Sequence, residues 1–242
     1  MAIDKDTILE YMRQQAYRPL KYQELREVLH IKDEAEFSAI LGKMEKEGDI
    51  VVNRKHKYGV PEMMNIVRGT LQVNSKGFAF LLPDDPLQSD VFIYGRDLNG
   101  AMHRDRVMVR INYKRSETGQ KQEGEVIRII SRANQELVGT FKKGKAVSQV
   151  IPDDPRILFP VITRPGPKTK VQDGEKVVVK ITVWPEQEKS PEGKIIEVLG
   201  AKDDPGVDIR SIVKKYGLSE TFHKKTMQEA GAFSLTVQSE EM

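Results

Sequence analysis

Residues 67–200 carry the same set of landmarks twice, and this repeat limits the fold more than any other feature of the chain. Gly69-Thr70-Leu71 returns 70 residues later as Gly139-Thr140-Phe141. Pro83-Asp84-Asp85-Pro86 returns after 69 residues as Pro152-Asp153-Asp154-Pro155. Val107-Met108-Val109-Arg110-Ile111 is matched by Val177-Val178-Val179-Lys180-Ile181, and Glu123-Gly124 by Glu192-Gly193. Four landmarks in register within one residue mark two copies of one folding unit. Each copy holds roughly five short strand-like runs divided by turn residues, which suits a small five-stranded barrel of OB type.

What precedes the repeat has a different period. Ile8, Leu9 and Met12 recur at helical spacing from Asp4 to Arg13, and Leu25, Val28 and Leu29 share a face between Tyr22 and Leu29. A third helix is expected from Asp33 to Glu47, with Phe37, Ile40, Leu41 and Met44 on one stripe and Gly48 as its stop. Ile50-Val51-Val52 and Tyr58-Gly59-Val60 then read as a hairpin around the basic turn Asn53 to Lys57. Three helices followed by a hairpin is the order of a winged helix. The expected organisation is multidomain: a winged helix over 1–66, all-β OB or cold-shock-like barrels over 67–130 and 131–200, and a partly helical tail over 201–242. In that tail Ile209 to Tyr216 and Thr221 to Ala230 read as short helices. The end at Met242 closes no recognisable element, so the natural protein is expected to continue.

Composition narrows the chemistry. There is no cysteine, so disulfides, thiolate metal sites and cysteine catalysis are excluded. No run of eighteen apolar residues offers a membrane span, and Asp4 and Asp6 stand where a secretory signal would need an apolar stretch. A cytoplasmic protein with no membrane partner is expected. The net charge is only +3, and it is unevenly spread. Basic against acidic residues number 11 to 12 in 1–66, 10 to 8 in 67–130, 12 to 9 in 131–200 and 6 to 7 in 201–242. The balance permits nucleic-acid binding without demanding it.

The residues carry more information than the charge. In the first repeat, Lys76-Gly77-Phe78-Ala79-Phe80 and Asp90-Val91-Phe92-Ile93-Tyr94 read as neighbouring strands. Alternation puts Lys76, Phe78, Phe80, Phe92 and Tyr94 on one face and Val91 and Ile93 inside. Four rings beside a lysine form a platform on which unpaired bases can stack, each contributing about 1–3 kcal/mol regardless of sequence. Core filling is the competing reading, but Leu81, Val91, Ile93 and the 107–111 strand already supply an interior. In the second repeat Val147 and Gln149 replace Phe78 and Phe80, leaving Lys142, Lys143 and Lys145, with Arg164, Lys168 and Lys170 in a proline-rich loop. These suit phosphate contacts or a solvated face equally. In the hairpin, Arg54, Lys55, His56 and Lys57 could touch a duplex backbone, with Arg18 and Lys21 nearby. Glu34, Glu36, Glu45 and Glu47 disfavour placing the third helix in a groove, so protein contact through this domain stays equally open.

The two aromatic runs resemble the paired motifs of cold-shock domains, with Ala79 where that family usually has glycine. Gly69-Thr70-Leu71-Gln72-Val73, Gly77-Phe78, Val91-Phe92-Ile93, the run Asp97 to His103 and Asp105-Arg106-Val107 are similar to the first cold-shock domain of the ribonuclease R branch of the exoribonuclease II family. Arg104 stands where the family often has glycine, which suggests an extra phosphate contact, and Tyr94-Gly95 replaces a common proline pair. The resemblance implies a helix-turn-helix segment and two cold-shock-like barrels that bind single-stranded RNA ahead of a catalytic domain. That domain, which is absent here, would degrade RNA from the 3′ end with magnesium held by aspartates.

No catalytic or metal residue is expected within this chain, and no cofactor. Asp203, Asp204 and Asp208 sit in a turn beside Pro205-Gly206, and His30, His56, His103 and His223 are scattered without evident partners. Structured RNA and single-stranded DNA are further candidate ligands. A free-standing RNA chaperone and a winged-helix transcription regulator are the alternative readings.

Overall fold

The structure, a computed structural model, describes residues 4–16, 18–112, 122–164, 166, 169–186, 189–218 and 224–232. Three helices open the chain: α1 (Lys5–Gln14), α2 (Tyr22–Val28) and α3 (Glu34–Glu47). Side chains cap two of them. Asp4 accepts from the Thr7 N–H at 2.8 Å, and Asp33 accepts from Ala35 and Glu36 N–H at 2.9 Å. Gly48 ends α3 at φ +75°, a left-handed conformation that costs a residue without Cβ little. The predicted stripes meet in one core around Ile8, Met12, Leu25, Phe37, Leu41 and Met44, closed by Ile50 and Val60. Strands β1 (Leu20–Lys21), β2 (Val51–Val52) and β3 (Lys57–Gly59) form a sheet in the order β1-β3-β2. Because β1 pairs with β3, Lys21 lies opposite Lys57 beside the hairpin.

Two closed barrels follow. The first comprises β4 (Ile66–Val73), β5 (Ala79–Pro83), β6 (Val91–Ile93), β7 (Arg106–Asn112) and β8 (Gln122–Ser131). The second comprises β9 (Glu136–Lys142), β10 (Ser148–Pro152), β11 (Val161–Thr163), β12 (Glu175–Val183) and β13 (Glu192–Ala201). Both have the same cyclic order, with the third strand parallel to the fifth, as in an OB fold. The repeated landmarks now have a physical role. Gly69 pairs with Pro83 as Gly139 pairs with Pro152. Asp84 meets Arg106 at 2.6 Å, and Asp153 meets Lys176 at the same 2.6 Å, joining the second strand's end to the fourth strand's start in each barrel.

The parts are locked together by side chains that alternation alone does not reveal. Arg68 on β4 binds Asp49 at 2.6 Å and Asp84 at 2.9 Å, and Lys5 of α1 also pairs with Asp49, so the helical domain is tied to the first barrel. Those two cations more than offset burial and hold the Asp49 carboxyl below its usual range. Between the barrels, Met102 from the first joins the core of the second, while Leu158 packs against the core of the first. Asp105 is completely buried and accepts from Met102 and Ala133 N–H and from Arg132 at 2.9 Å. The Arg132 guanidinium also lies 4.6 Å from the Trp184 ring centre. Gly100 has φ +79°, and a Cβ there would stand 2.2 Å from the Pro185 carbonyl oxygen, so this contact admits only glycine.

Helix α4 (Val207–Lys215) follows the second barrel, and α5 (Lys224–Ala232) comes after it. Val207 packs with Val138, Val178 and Leu199, and Glu197 binds both Arg210 and Lys214, which fixes α4 against the barrel. Among the described residues, no helix is long and apolar enough to cross a membrane.

Candidate nucleic-acid interface

Strands β5 and β6 pair so that Phe80 lies opposite Phe92, with Ala79 opposite Ile93 and Leu81 opposite Val91. Ala79, Leu81, Val91 and Ile93 are fully buried, while Phe78, Phe80 and Phe92 stay half-buried and Tyr94 is 39% exposed. The four rings touch in sequence. Phe78 lies 5.8 Å from Phe80 and 5.5 Å from Phe92, Phe80 lies 5.6 Å from Phe92, and Phe92 lies 4.8 Å from Tyr94, centre to centre. Mutual contact holds them, yet their outer faces remain open, which distinguishes the cluster from core.

One sequence expectation needs correction. Strand β5 begins at Ala79, and Lys76 lies in the turn from Asn74 to Gly77, where Asn74 Oδ1 accepts from the Lys76 N–H at 2.9 Å. Strand alternation therefore does not align Lys76 with the rings. The cation that does meet them is Arg96, whose guanidinium carbon stands 4.9 Å from the Tyr94 centre. It follows Tyr94 in a short 3-10 turn, a position that strand periodicity does not forecast. Tyr94 donates to the Glu123 carboxylate at 3.1 Å, and this bond raises the phenol pKa.

On the second barrel, Lys142 ends β9, and Lys143 and Lys145 lie in the loop before β10; all three are exposed. Lys143 N–H donates to Asp173 at 2.8 Å. Arg164 and Lys170 are exposed as well, whereas Lys168 lies outside the described residues. In the helical domain, Asn53 Oδ1 accepts from Lys55 and Lys57 N–H and shapes a tight turn that leaves Arg54, Lys55 and His56 exposed and Lys57 half-exposed. Part of the acidic face of α3 is engaged internally: Glu34 pairs with Arg26, Glu47 with Lys5, and Glu45 lies 3.9 Å from Arg128 of the first barrel.

His103 also differs from expectation. It is buried, and its Nδ1 accepts from the Val73 N–H at 3.2 Å, so the neutral ring carries its proton on Nε2. Burial, assisted by the nearby Arg156 charge, holds its pKa below the ordinary histidine value. Nε2 is enclosed and has no partner among the described residues. Beside it, Arg104 is exposed at φ +68°, its N–H donating to Leu71 O. Across the gap Arg156 makes two bonds to Asp154, at 2.8 and 2.7 Å, which lower the Asp154 pKa to about 2. Lys215 of α4 stands 3.8 Å from the same carboxylate.

Of the tail aspartates, Asp204 accepts from Ala201 N–H at 2.9 Å within its turn. Among the described residues no group of three or more histidine, aspartate or glutamate side chains is placed to hold a metal ion. His223 lies outside the described residues.

Comparison with known proteins agrees with this geometry. Residues 69–129 match the ribonuclease B OB domain family, and residues 150–223 match the cold shock domain family. Ribonuclease R of Acidithiobacillus ferrooxidans is 30% identical over 97% of this chain, and that of Thermotoga maritima is 28% identical over the whole of this chain. The chain spans 54% of the first relative and 34% of the second. RNase R of Mycoplasma genitalium, solved in complex with ribose methylated single-stranded RNA, has the same fold over 72% of this chain and 28% of that one, with a TM-score of 0.61 and 23% identity. The two barrels match these two domain families in order, and over nearly its whole length the chain is similar to the N-terminal region of ribonuclease R.

Proposed function

We propose that this chain is a single-strand RNA-binding region that captures RNA and guides it towards a 3′→5′ exoribonuclease domain lying beyond it in the parent protein. The observation that carries the reading is the set of four touching, half-open rings on one barrel face. Stacking accepts every base, as a processive degradative enzyme requires of its intake. The RNA bound by the Mycoplasma genitalium relative supports the same ligand class. In this reading Phe78, Phe80, Phe92 and Tyr94 hold bases, Arg96 lies at the platform's edge, and Lys142, Lys143 and Lys145 attract phosphates. Any magnesium chemistry belongs to the catalytic domain, and the site of action is the cytoplasm.

The test is Phe78→Ala combined with Phe80→Ala, with binding to a single-stranded RNA oligonucleotide measured by fluorescence anisotropy at moderate salt. Affinity is expected to fall at least tenfold, since two stacked bases at about 1–3 kcal/mol each are lost. Unchanged affinity would remove the platform. A duplex DNA arm of the same assay separates a transcription regulator, which would prefer the duplex through Arg54, Lys55, His56 and Lys57. An open reading frame that stops at Met242 would instead favour a free-standing RNA chaperone.

A further inference from the structure

The aromatic platform does not end at Phe80. That ring forms one wall of an open groove of about 530 Å³, which Gln72, Asn74 and Ser75 line on the first barrel and Arg156 and Lys215 line on the far side. A second cleft shares Arg156 and Lys215 and contains His103 and Arg104. We propose that this junction is a phosphate-binding continuation of the platform, where Arg104, Arg156 and Lys215 hold the backbone of the strand whose bases stack at Phe80.

Three observations converge on a phosphate. The first is charge: three cations face the junction, against Asp154 and Glu136 among its lining residues. Asp154 is engaged by Arg156 through two bonds, while Lys215 approaches it only to 3.8 Å. The second is the orphaned His103 Nε2–H, a donor buried at the same junction with no acceptor among the described residues. A buried donor left unpaired is unfavourable, and a phosphate oxygen would satisfy it once the flexible Arg156 and Lys215 side chains part. The third is continuity: a nucleotide leaving Phe80 enters the groove directly, so bases and phosphates of one strand can be served in turn. The anchoring of α4 through Glu197 gives Lys215 a fixed base from which to reach it.

The inference deepens the single-strand RNA reading and rests on it, so the experiment separates the two. Anisotropy titrations of the whole chain would use single-stranded RNA of 4 and 12 nucleotides with three proteins: the parent, Arg104→Gln with Lys215→Gln, and Phe78→Ala with Phe80→Ala. Both glutamine substitutions are at exposed positions, and Lys215→Arg serves as the charge-preserving control. The glutamine pair should weaken the 12-mer about five- to tenfold and flatten its dependence of log affinity on log salt by roughly 1.4, at about 0.7 per lost phosphate contact. The 4-mer should bind it as it binds the parent, and Lys215→Arg should retain the parent's slope. If the glutamine pair binds the 12-mer normally while the alanine pair does not, the junction is not a phosphate site and the platform stands. If neither pair matters, the RNA reading itself falls. A parallel arm records the His103 Nε2 nitrogen resonance. A shift with the 12-mer supports the inference, whereas a shift with inorganic phosphate and none with the 12-mer would overturn it in favour of a small-anion site.

Discussion

The two barrels share a topology, a register and even an ion pair, yet they present different chemistry on the same face. Where the first has Phe78, Phe80, Phe92 and Tyr94, the equivalent positions of the second are Val147, Gln149, Ile162 and Arg164. Lys142 takes the place of Gln72 beside them. What both keep is the scaffold: an apolar inner face, glycine opposite proline at the first strand pair, and an aspartate binding a cation on the fourth strand. Duplication preserves what closes a barrel, because each of those residues is fixed by its neighbours. The outward face is free to diverge, and here it changes from rings to charge and aliphatic side chains.

The largest effect is expected at the pin between the barrels. Arg132→Met leaves the fully buried Asp105 without its cation, and removing one partner of a buried pair costs about 3–5 kcal/mol. Urea unfolding should show a loss of that order, and a change under 1 kcal/mol would mean that Asp105 is satisfied by Met102 and Ala133 N–H alone. A milder test addresses the second barrel. Replacing Lys142, Lys143 and Lys145 together by glutamine should reduce RNA affinity a fewfold and lower the salt slope by up to about 2, without altering the preference for bases over bare backbone. A tenfold or greater loss at unchanged slope would show that this barrel grips bases after all.

The smallest effect concerns pH. Because the folded His103 pKa is depressed below 6.5, the unfolded chain takes up a proton that the folded one resists. Stability is therefore fully present above about pH 6.5 and is lost progressively as pH falls below it. In His103→Asn this part of the slope should vanish, and an identical slope in the variant would place its origin elsewhere.

Much of this architecture was legible in the sequence because the repeat and the hydrophobic periods are local. The three helices, the hairpin and the sidedness of Val91-Phe92-Ile93 follow from spacing alone. Strand alternation aligns Lys76 with the rings only if it runs three residues ahead of Ala79, where the chain instead turns. Arg156, Lys215 and His103 were beyond reach for a different reason. They meet only after two barrels and a helix dock, and no spacing within one element encodes that meeting. The same holds for Arg68, which reads as an ordinary exposed strand residue until Asp49 and Asp84 are brought to it.

The central claim, that the first barrel holds bases while the second serves the backbone, is tested most directly with an abasic strand. Affinities would be measured for a 12-nucleotide RNA and for its abasic counterpart, each with the parent chain and with Phe78→Ala/Phe80→Ala. The abasic strand should bind the parent at least tenfold more weakly, and the alanine pair should weaken the natural strand but leave the abasic one unchanged. An alanine pair that weakens both strands equally would contradict the claim, since the rings would then be acting on the backbone or on the fold rather than on bases.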